Sequence, residues 1–300
     1  MKFRILIVLF AFAGILISAC NETTNPTDNP KPQAVSNVRA STLNATEIKI
    51  RWDASPSKAD ALFEGYEVRI SPGTFNPISV NKSQTELTIS NLTEGTVYTF
   101  KVLAKFTNGE YSTELPVTWS PATRFINNNN NAPIYVYEYA SLLGSGLDFF
   151  SEADGTPKIL TVANSQYWNF ALDTRVAGTI EIGSPNAVGY NWSGGNPPVT
   201  EISSDRIWDS PSLDSVFDSQ ALSAASFQER TVWLDDPALN IQSGGVVIVM
   251  RTKEGNSAEW TYVKIWIKKT ANGWLQGSSP NRYIECVLSY QKVPGVPYAL

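Results

Sequence analysis

Short runs of alternating hydrophobic and polar residues fill the segment 34–124. In the run EIKIRW, for example, Ile48, Ile50 and Trp52 share one side while charged residues take the other. A period of two is typical of β-strands with one buried face, and turn residues separate these runs at the spacing of a sandwich. The Asn-Gly pair at 108–109 favours a tight hairpin because both residues tolerate positive φ. The pattern predicts a small antiparallel β-domain.

The segment 134–300 shows the same period in longer and more aromatic runs. Three of them, GGVVIVMRT, WTYVKIWIKK and RYIECVLSYQKV, are joined by polar loops and predict an antiparallel meander. The alternation stops between residues 210 and 225, where the spacing favours one short helix instead. A capping residue, a proline suited to the first turn and three hydrophobic residues on one face indicate that helix: Ser210, Pro211, Leu213, Val216 and Phe217.

Four residues of the first β-domain form a recognisable set. Trp52 lies in its second run, Tyr66 in its third, and Leu92 precedes Tyr98 in NLTEGTVYTF. With these residues the segment resembles a fibronectin type III domain, in which Leu92 and Tyr98 would match the tyrosine corner. The resemblance implies a spacer or protein-contact module. The predicted fold class is all-β: a fibronectin type III sandwich followed by a larger antiparallel β-sandwich-like domain with one short helix.

Two polar segments set the predicted domain boundaries. Residues 21–33, NETTNPTDNPKPQ, have no hydrophobic periodicity, and five consecutive asparagines follow Ile126. Such segments cannot bury apolar surface, and asparagine amides compete with backbone pairing. Cutting the asparagine run should therefore leave two halves that fold separately. The predicted parts are a lipoprotein signal peptide (1–19), a disordered stalk (20–33), the fibronectin type III domain (34–124), an Asn-rich linker (125–133) and a C-terminal all-β binding domain (134–300).

The amino terminus has the order of an export signal. Lys2 and Arg4 precede an apolar run, residues 5–17, that is too short to cross a bilayer comfortably. Small residues then lead to Cys20, and the order Ile-Ser-Ala-Cys resembles the lipobox of bacterial lipoproteins. The resemblance implies cleavage before Cys20 and its acylation, palmitate included, with an ordinary signal peptide as the alternative. The expected location is the bacterial cell envelope, lipid-anchored in the outer membrane.

Composition argues against several functions. The formal net charge is -5 and no basic cluster occurs, which disfavours nucleic acid as a partner. The chain has no histidine, which removes the commonest general base, histidine-containing metal sites and bis-histidine haem ligation. Apart from Cys20, the single cysteine is Cys286, whose place in an alternating run predicts a buried side chain. We expect no catalytic residues, no metal and no cofactor.

The segment 259–274, EWTYVKIWIKKTANGW, has an unusual outward face. Val263, Ile265 and Ile267 fall on one side, whereas the other side is aromatic and basic. The lysine stems could lie across packed rings, or the rings could form a stacking platform for a sugar or planar ligand. Because lysines are seldom buried unpaired, Lys264 should keep this face partly wet. Together with two aromatic residues beside a Gly/Pro-rich loop, its rings are the candidate ligand-binding residues: Trp260, Tyr262, Trp266, Tyr190 and Trp192.

The C-terminal domain has a second resemblance. The segments LDSVFDSQ, VVIVMRTKEGNSAEWTYVKIWI and RYIECVLSYQ are similar in order to those of the HmuY hemophore-like family. That family implies an all-β fold on the outer surface and, in some members, haem held by two histidines. The present chain has no histidine, so the ligation is not carried over. Haem or another tetrapyrrole remains an alternative ligand only through other contacts.

The expected function is that of a non-enzymatic, membrane-anchored lipoprotein whose C-terminal domain binds carbohydrate or a protein. The first alternative is an HmuY-like protein that binds haem or a tetrapyrrole without histidine. The second is a glycoside hydrolase, which would need two carboxylates facing each other across a sugar. Acidic residues that also suit caps and turns could supply that pair: Asp205, Asp209, Asp214 and Asp218.

Overall fold

Strands account for most of the ordered backbone. The computed structural model describes residues 29–189, 197–253 and 257–299. In those ranges the only α-helix is one turn, Pro185–Val188, and none of the helical segments is long and apolar enough to span a membrane. The prediction of an all-β fold with sandwich sheets and one short helix is confirmed. Cys20 and the predicted signal peptide lie outside the described residues.

The strands of the first sandwich are β1 (Ser36–Asn44), β2 (Glu47–Asp53), β3 (Phe63–Ser71), β4 (Ile78–Asn81), β5 (Glu86–Ile89), β6 (Tyr98–Phe106) and β7 (Leu115–Trp119). They form two antiparallel sheets in the orders β1-β2-β5 and β4-β3-β6-β7. Between the sheets, Trp52 and Tyr66 pack edge to face, with ring centres 5.4 Å apart. The hydroxyl of Tyr98 accepts a hydrogen bond from the Thr93 amide at 3.1 Å, which closes the predicted tyrosine corner.

The strands of the second sandwich are β8 (Thr123–Phe125), β9 (Ile134–Tyr137), β10 (Gly146–Ser151), β11 (Thr156–Leu160), β12 (Phe170–Asp173), β13 (Glu181–Gly183), β14 (Val199–Asp209), β15 (Phe227–Gln228), β16 (Thr231–Trp233), β17 (Gly245–Lys253), β18 (Thr261–Lys268) and β19 (Tyr283–Tyr290). They form a five-stranded sheet, β11-β10-β12-β13-β16, and a seven-stranded sheet, β15-β14-β17-β18-β19-β8, in which β9 also pairs with β19. Hydrophobic residues from both sheets form one core between them.

The prediction that the short helix lies between residues 210 and 225 is wrong. That segment forms two short 3-10 turns, Leu213–Ser215 and Leu222–Ala224. Between the turns, the backbone of Asp218 exchanges hydrogen bonds of 2.8 and 3.1 Å with Ala40 on the free edge of β1. Long-range pairing therefore satisfies backbone groups that a helix would have satisfied locally.

The Asn-rich segment is a hydrogen-bonded loop that follows one strand of the second sandwich. On one side of it, β8 pairs with the end of β19, and on the other side β9 pairs with the beginning of β19. Within the loop, the Asn128 amide donates to the Ala132 carbonyl at 2.7 Å, and the Asn129 amide donates to the Pro157 carbonyl at 2.9 Å. Thr123–Phe125, which the sequence placed at the boundary of the first domain, is thus a strand of the larger sheet.

The two sandwiches share a hydrophobic core. Val247, Val249 and Tyr262 point away from the second core and join the cluster of the first sandwich. The carboxyl-terminal tail returns to the same cluster, where Tyr298 packs 5.2 Å from Trp119 between ring centres. Residues from Lys31 onward accordingly form one compact unit. Separating the two halves would expose this shared core, and their independent folding stays a prediction.

Candidate functional site

The aromatic face of β18 is covered by protein. Tyr262 is 5% exposed and Lys264 is fully buried. The Trp266 indole Nε1 donates to the Ser210 carbonyl at 2.9 Å. The expectation that Lys264 keeps this face wet is wrong, because β1 and the 3-10 turn at Leu213 lie over it.

The buried ammonium group of Lys264 has polar neighbours but no direct carboxylate partner among the described residues. Its Nζ donates to the Leu213 carbonyl at 3.1 Å and lies 3.5 Å from the Ser41 Oγ. Burial lowers the pKa of Lys264 well below its ordinary value because the charged form loses hydration. The positive charge of Arg124 lowers this pKa further, whereas Asp214 raises it.

Trp260 lies at the end of the same face and is held by cationic side chains. The Arg251 guanidinium carbon is 4.2 Å and the Lys253 Nζ 4.7 Å from the centre of its ring system. Arg251 also lies over Phe227 and forms an ion pair with Glu201. These contacts match the packing interpretation of the face. Of the other candidate residues, Tyr190 and Trp192 lie outside the described residues.

A cleft of about 790 Å³ opens instead at one end of the second sandwich, between its two sheets. The hairpin of β10 and β11 and the 3-10 segment Val162–Tyr167 form one wall. The ends of β17 and β19 and the start of β18 form the other wall. The side chains on which its chemistry depends are aromatic or charged: Phe150, Tyr167, Tyr290, Asp148, Glu152, Glu259, Lys158, Lys253 and Lys292.

Aromatic rings line the cleft because one face of β10 is turned toward it. Leu147 and Phe149 enter the core, whereas Asp148 and Phe150, on the opposite face of the strand, line the cleft. The register between β10 and β11 shifts between Asp148 and Ser151, so β10 has one extra residue there. The Phe150 ring stacks on Tyr290, with centres 5.4 Å apart and planes 17° apart. On the same wall as Phe150, Tyr167 is 55% exposed, which leaves its ring accessible for contact.

Charged groups of both signs surround these rings. The Lys292 Nζ lies 5.5 Å from the centre of the Phe150 ring. On the other wall, Lys158 binds Asp154 at 3.0 Å beside the rim. Each ammonium can donate hydrogen bonds and each carboxylate can accept them. The described part of the chain contains no group of three or more Asp, Glu, Cys or His placed to hold a metal ion.

A buried hydrogen-bond network supports the cleft from behind. The Asn169 amide Nδ2 and the Thr200 Oγ1 each donate to the Thr252 Oγ1 at 3.0 Å. Asn169 also accepts the Phe149 amide at 2.8 Å. Because Phe149 and Thr252 are chain neighbours of cleft residues, the network fixes both walls relative to each other.

The acidic residues proposed for hydrolysis occupy turns and ion pairs outside the cleft. Asp209 accepts hydrogen bonds from the Ser243 backbone and hydroxyl at 2.7 and 2.9 Å. The remaining partners are likewise local or ionic: Asp205 binds Ser203 and Ser226, Asp214 binds Arg124, and Asp218 binds Arg206. Cys286 is buried as expected, and burial raises the pKa of its thiol.

Comparison with known proteins identifies the first sandwich. The fibronectin type III domain family matches residues 31–120. The domain from the human collagen alpha-1(XX) chain is 18% identical, covers 32% of this chain and 91% of that chain, and has a TM-score of 0.28. The domain from human contactin 1 is 21% identical over 32% of this chain and 83% of that chain, with a TM-score of 0.26. An Fn3-like protein from Clostridium thermocellum is 22% identical over 29% and 90%, with a TM-score of 0.24. On the family match, residues 31–120 form a fibronectin type III domain.

Proposed function

We propose that the protein is a lipid-anchored protein of a bacterial cell envelope that binds carbohydrate in the cleft of its second sandwich, without cleaving it. The observation that carries this proposal is the meeting of aromatic rings, exposed in Tyr167 and half-buried in Phe150 and Tyr290, with charged groups of both signs in one cleft. Sugars present apolar ring faces and many hydroxyls. Aromatic rings can pack against the apolar faces of a sugar, and ammonium and carboxylate groups can form hydrogen bonds with its hydroxyls.

The size of the cleft favours a saccharide over a protein partner. Its volume of about 790 Å³ falls in the range of small-molecule sites, roughly 300–1,000 Å³. A stable protein partner would instead need a broad contact of about 800 Å² on each side. Haem is less well matched, since the chain has no histidine and both Met250 and Cys286 are buried in the core.

The membrane anchor is inferred from the residues around Cys20. A positively charged start, a short apolar run and a lipobox-like sequence precede this cysteine. Replacing Cys20 by Ala should abolish incorporation of labelled fatty acid in the native host. Undiminished labelling and membrane attachment in that variant would contradict the proposed anchor.

Carbohydrate binding is tested by screening the protein against an array of neutral and charged glycans. We expect at least one glycan to be retained by the wild type and lost by Tyr167→Ala, because an exposed ring contributes contact area without supporting the core. Trp233→Ala is the matched control, since Trp233 is 56% exposed and does not line the cleft. The proposal would be contradicted if both variants lost the glycan to the same extent, or if the wild type retained no glycan. Unchanged glycan length after long incubation is expected of a non-enzymatic protein.

A further inference from the structure

Large hydrophobic side chains protrude from the end of the second sandwich where β9 turns into β10. Leu142 is 91% exposed, Leu143 52% and Tyr139 43%. The loop after β12 adjoins them, because the Tyr139 amide donates to the Thr174 Oγ1 at 3.0 Å, and this loop adds Val176, which is 66% exposed. We name Tyr139, Leu142, Leu143 and Val176 the leucine tip. Exposed hydrophobic clusters on a folded surface mark contact sites.

The loop that carries the leucines is firmly held. The Tyr137 amide donates to the Gly144 carbonyl at 3.0 Å, and the Ser141 Oγ donates to the Asn281 Oδ1 at 2.7 Å. The Leu143 amide donates to the Ser141 Oγ at 3.1 Å. Gly144 has a φ of +118°, and a Cβ there would lie 2.6 Å from the Leu160 carbonyl oxygen. The leucines are therefore directed outward by a defined loop conformation.

Two arginines flank the tip, each fixed by a carboxylate that is more deeply buried. Arg282 is 2.7 Å from Glu138, and their side chains are 42% and 4% exposed. Arg175 is 2.8 Å from Asp173, with exposures of 34% and 9%. Hydrogen bonding from Arg282 lowers the pKa of Glu138, which keeps that pair ionised. In both pairs, the guanidinium is more exposed than its carboxylate partner, and a guanidinium is a cation suited to binding phosphate.

We propose that the leucine tip docks on a lipid surface that carries anionic headgroups. Leucine and valine would enter the outer acyl region, tyrosine would lie at the headgroup level, and the arginines would bind phosphate. The nearness of the leucine tip to a bilayer rests on the proposed lipid anchor. A stalk of residues 20–33 can extend at most about 50 Å, so an anchored chain would hold its folded part close to the bilayer at high effective concentration.

The test is cosedimentation with vesicles made of phosphatidylethanolamine and phosphatidylglycerol in a 3:1 ratio. The mature chain carries Cys20→Ser so that no acyl group contributes. We expect it to partition onto these vesicles, and Leu142→Ser with Leu143→Ser to reduce partitioning by about tenfold or more, because each leucine would move an apolar side chain from water into the acyl region. Ile126→Ser, at a position 61% exposed elsewhere, is the matched control and should bind like the parent.

The proposal would be overturned if the parent protein partitioned no better than the double variant, or if Ile126→Ser lost as much binding as the double variant. A protein would then be the expected occupant of the tip. Binding should also weaken between 0.1 and 0.5 M NaCl, because salt screens the arginine–phosphate attraction. Because the acyl group is absent, loss of vesicle binding reports on the tip alone. Failure of acyl labelling at Cys20 reports on the anchor alone.

Discussion

Replacing Lys264 by Met should stabilise the protein at neutral pH and weaken the pH dependence of its stability. Lys264 is fully buried between β18, β1 and the turn at Leu213. Its pKa is lowered well below the ordinary value of 10.5, mainly by burial. Methionine has a similar length and no charge, so it fits the same space without needing hydration.

The magnitude has an upper limit set by the pH. An unfolded lysine is protonated at pH 7, so the lowering of the Lys264 pKa costs the folded state at most about 5 kcal/mol there, at 1.36 kcal/mol per pH unit below 10.5. Methionine avoids that cost but loses the hydrogen bond to the Leu213 carbonyl, worth about 1–3 kcal/mol when the acceptor is left unpaired. We therefore expect a net gain of at most about 4 kcal/mol at pH 7.

The pH dependence has a definite sign. Between the lowered pKa of folded Lys264 and 10.5, the unfolded chain binds the extra proton, so the free energy of unfolding of the wild type rises with pH. The advantage of the methionine variant should therefore shrink by up to about 1.4 kcal/mol per pH unit as the pH increases. Urea unfolding followed by tryptophan fluorescence at pH 7, 8 and 9 measures both effects.

Lys268→Met is the matched control for this experiment. Lys268 lies four residues further along β18 on the same face, its side chain is 39% exposed, and it is 3.0 Å from Glu285. Exposed ion pairs contribute roughly 0–1 kcal/mol, so this variant should change stability little and leave the pH slope unchanged. A Lys264→Met protein that is less stable than the wild type at pH 7 and keeps the wild-type slope would refute the reasoning.

Two further substitutions test the packing of the fibronectin type III domain by urea unfolding. Tyr98→Phe removes the hydroxyl that accepts the Thr93 amide and should lower the free energy of unfolding by about 1 kcal/mol, whereas no loss would show that the corner bond is dispensable. Tyr298→Ala removes a side chain that is 8% exposed and packs on Trp119, and should cost roughly 3–5 kcal/mol. A cost below about 1 kcal/mol would mean that the carboxyl-terminal tail is not part of the shared core.

The local features of the fold could be predicted from the sequence. Alternation around Trp52 identifies strands because the period of two reflects a sheet with one buried face. The tyrosine corner at Tyr98 is a short-range motif, and the structure places its hydroxyl as expected. These signals depend on neighbours within about ten residues, which a linear pattern contains.

The long-range features could not be predicted in the same way. The burial of Lys264 depends on Ser41 and Leu213, which are 223 and 51 positions away in the chain. The failure of the predicted helix has the same origin, because Asp218 pairs with a strand edge far from it. No periodicity in either segment reports which distant strand will cover it.

The cleft could not be predicted for a related reason. Alternation places Phe149 and Phe150 on opposite faces of β10, but it does not indicate which distant elements meet each face. Tyr167 and Tyr290 come from separate parts of the chain that meet where the two sheets open. The tyrosine-rich end of RYIECVLSYQ was the one available signal, and it could not distinguish an inward-facing ring from a cleft ring.

A crystal structure of the protein with a glycan retained on the array tests the central claim most directly. We predict a sugar ring against Tyr167 or the stacked Phe150–Tyr290 pair, with its hydroxyls bonded to the charged side chains of the cleft. A glycan bound elsewhere on the protein, with the cleft unchanged and empty, would contradict the proposed function.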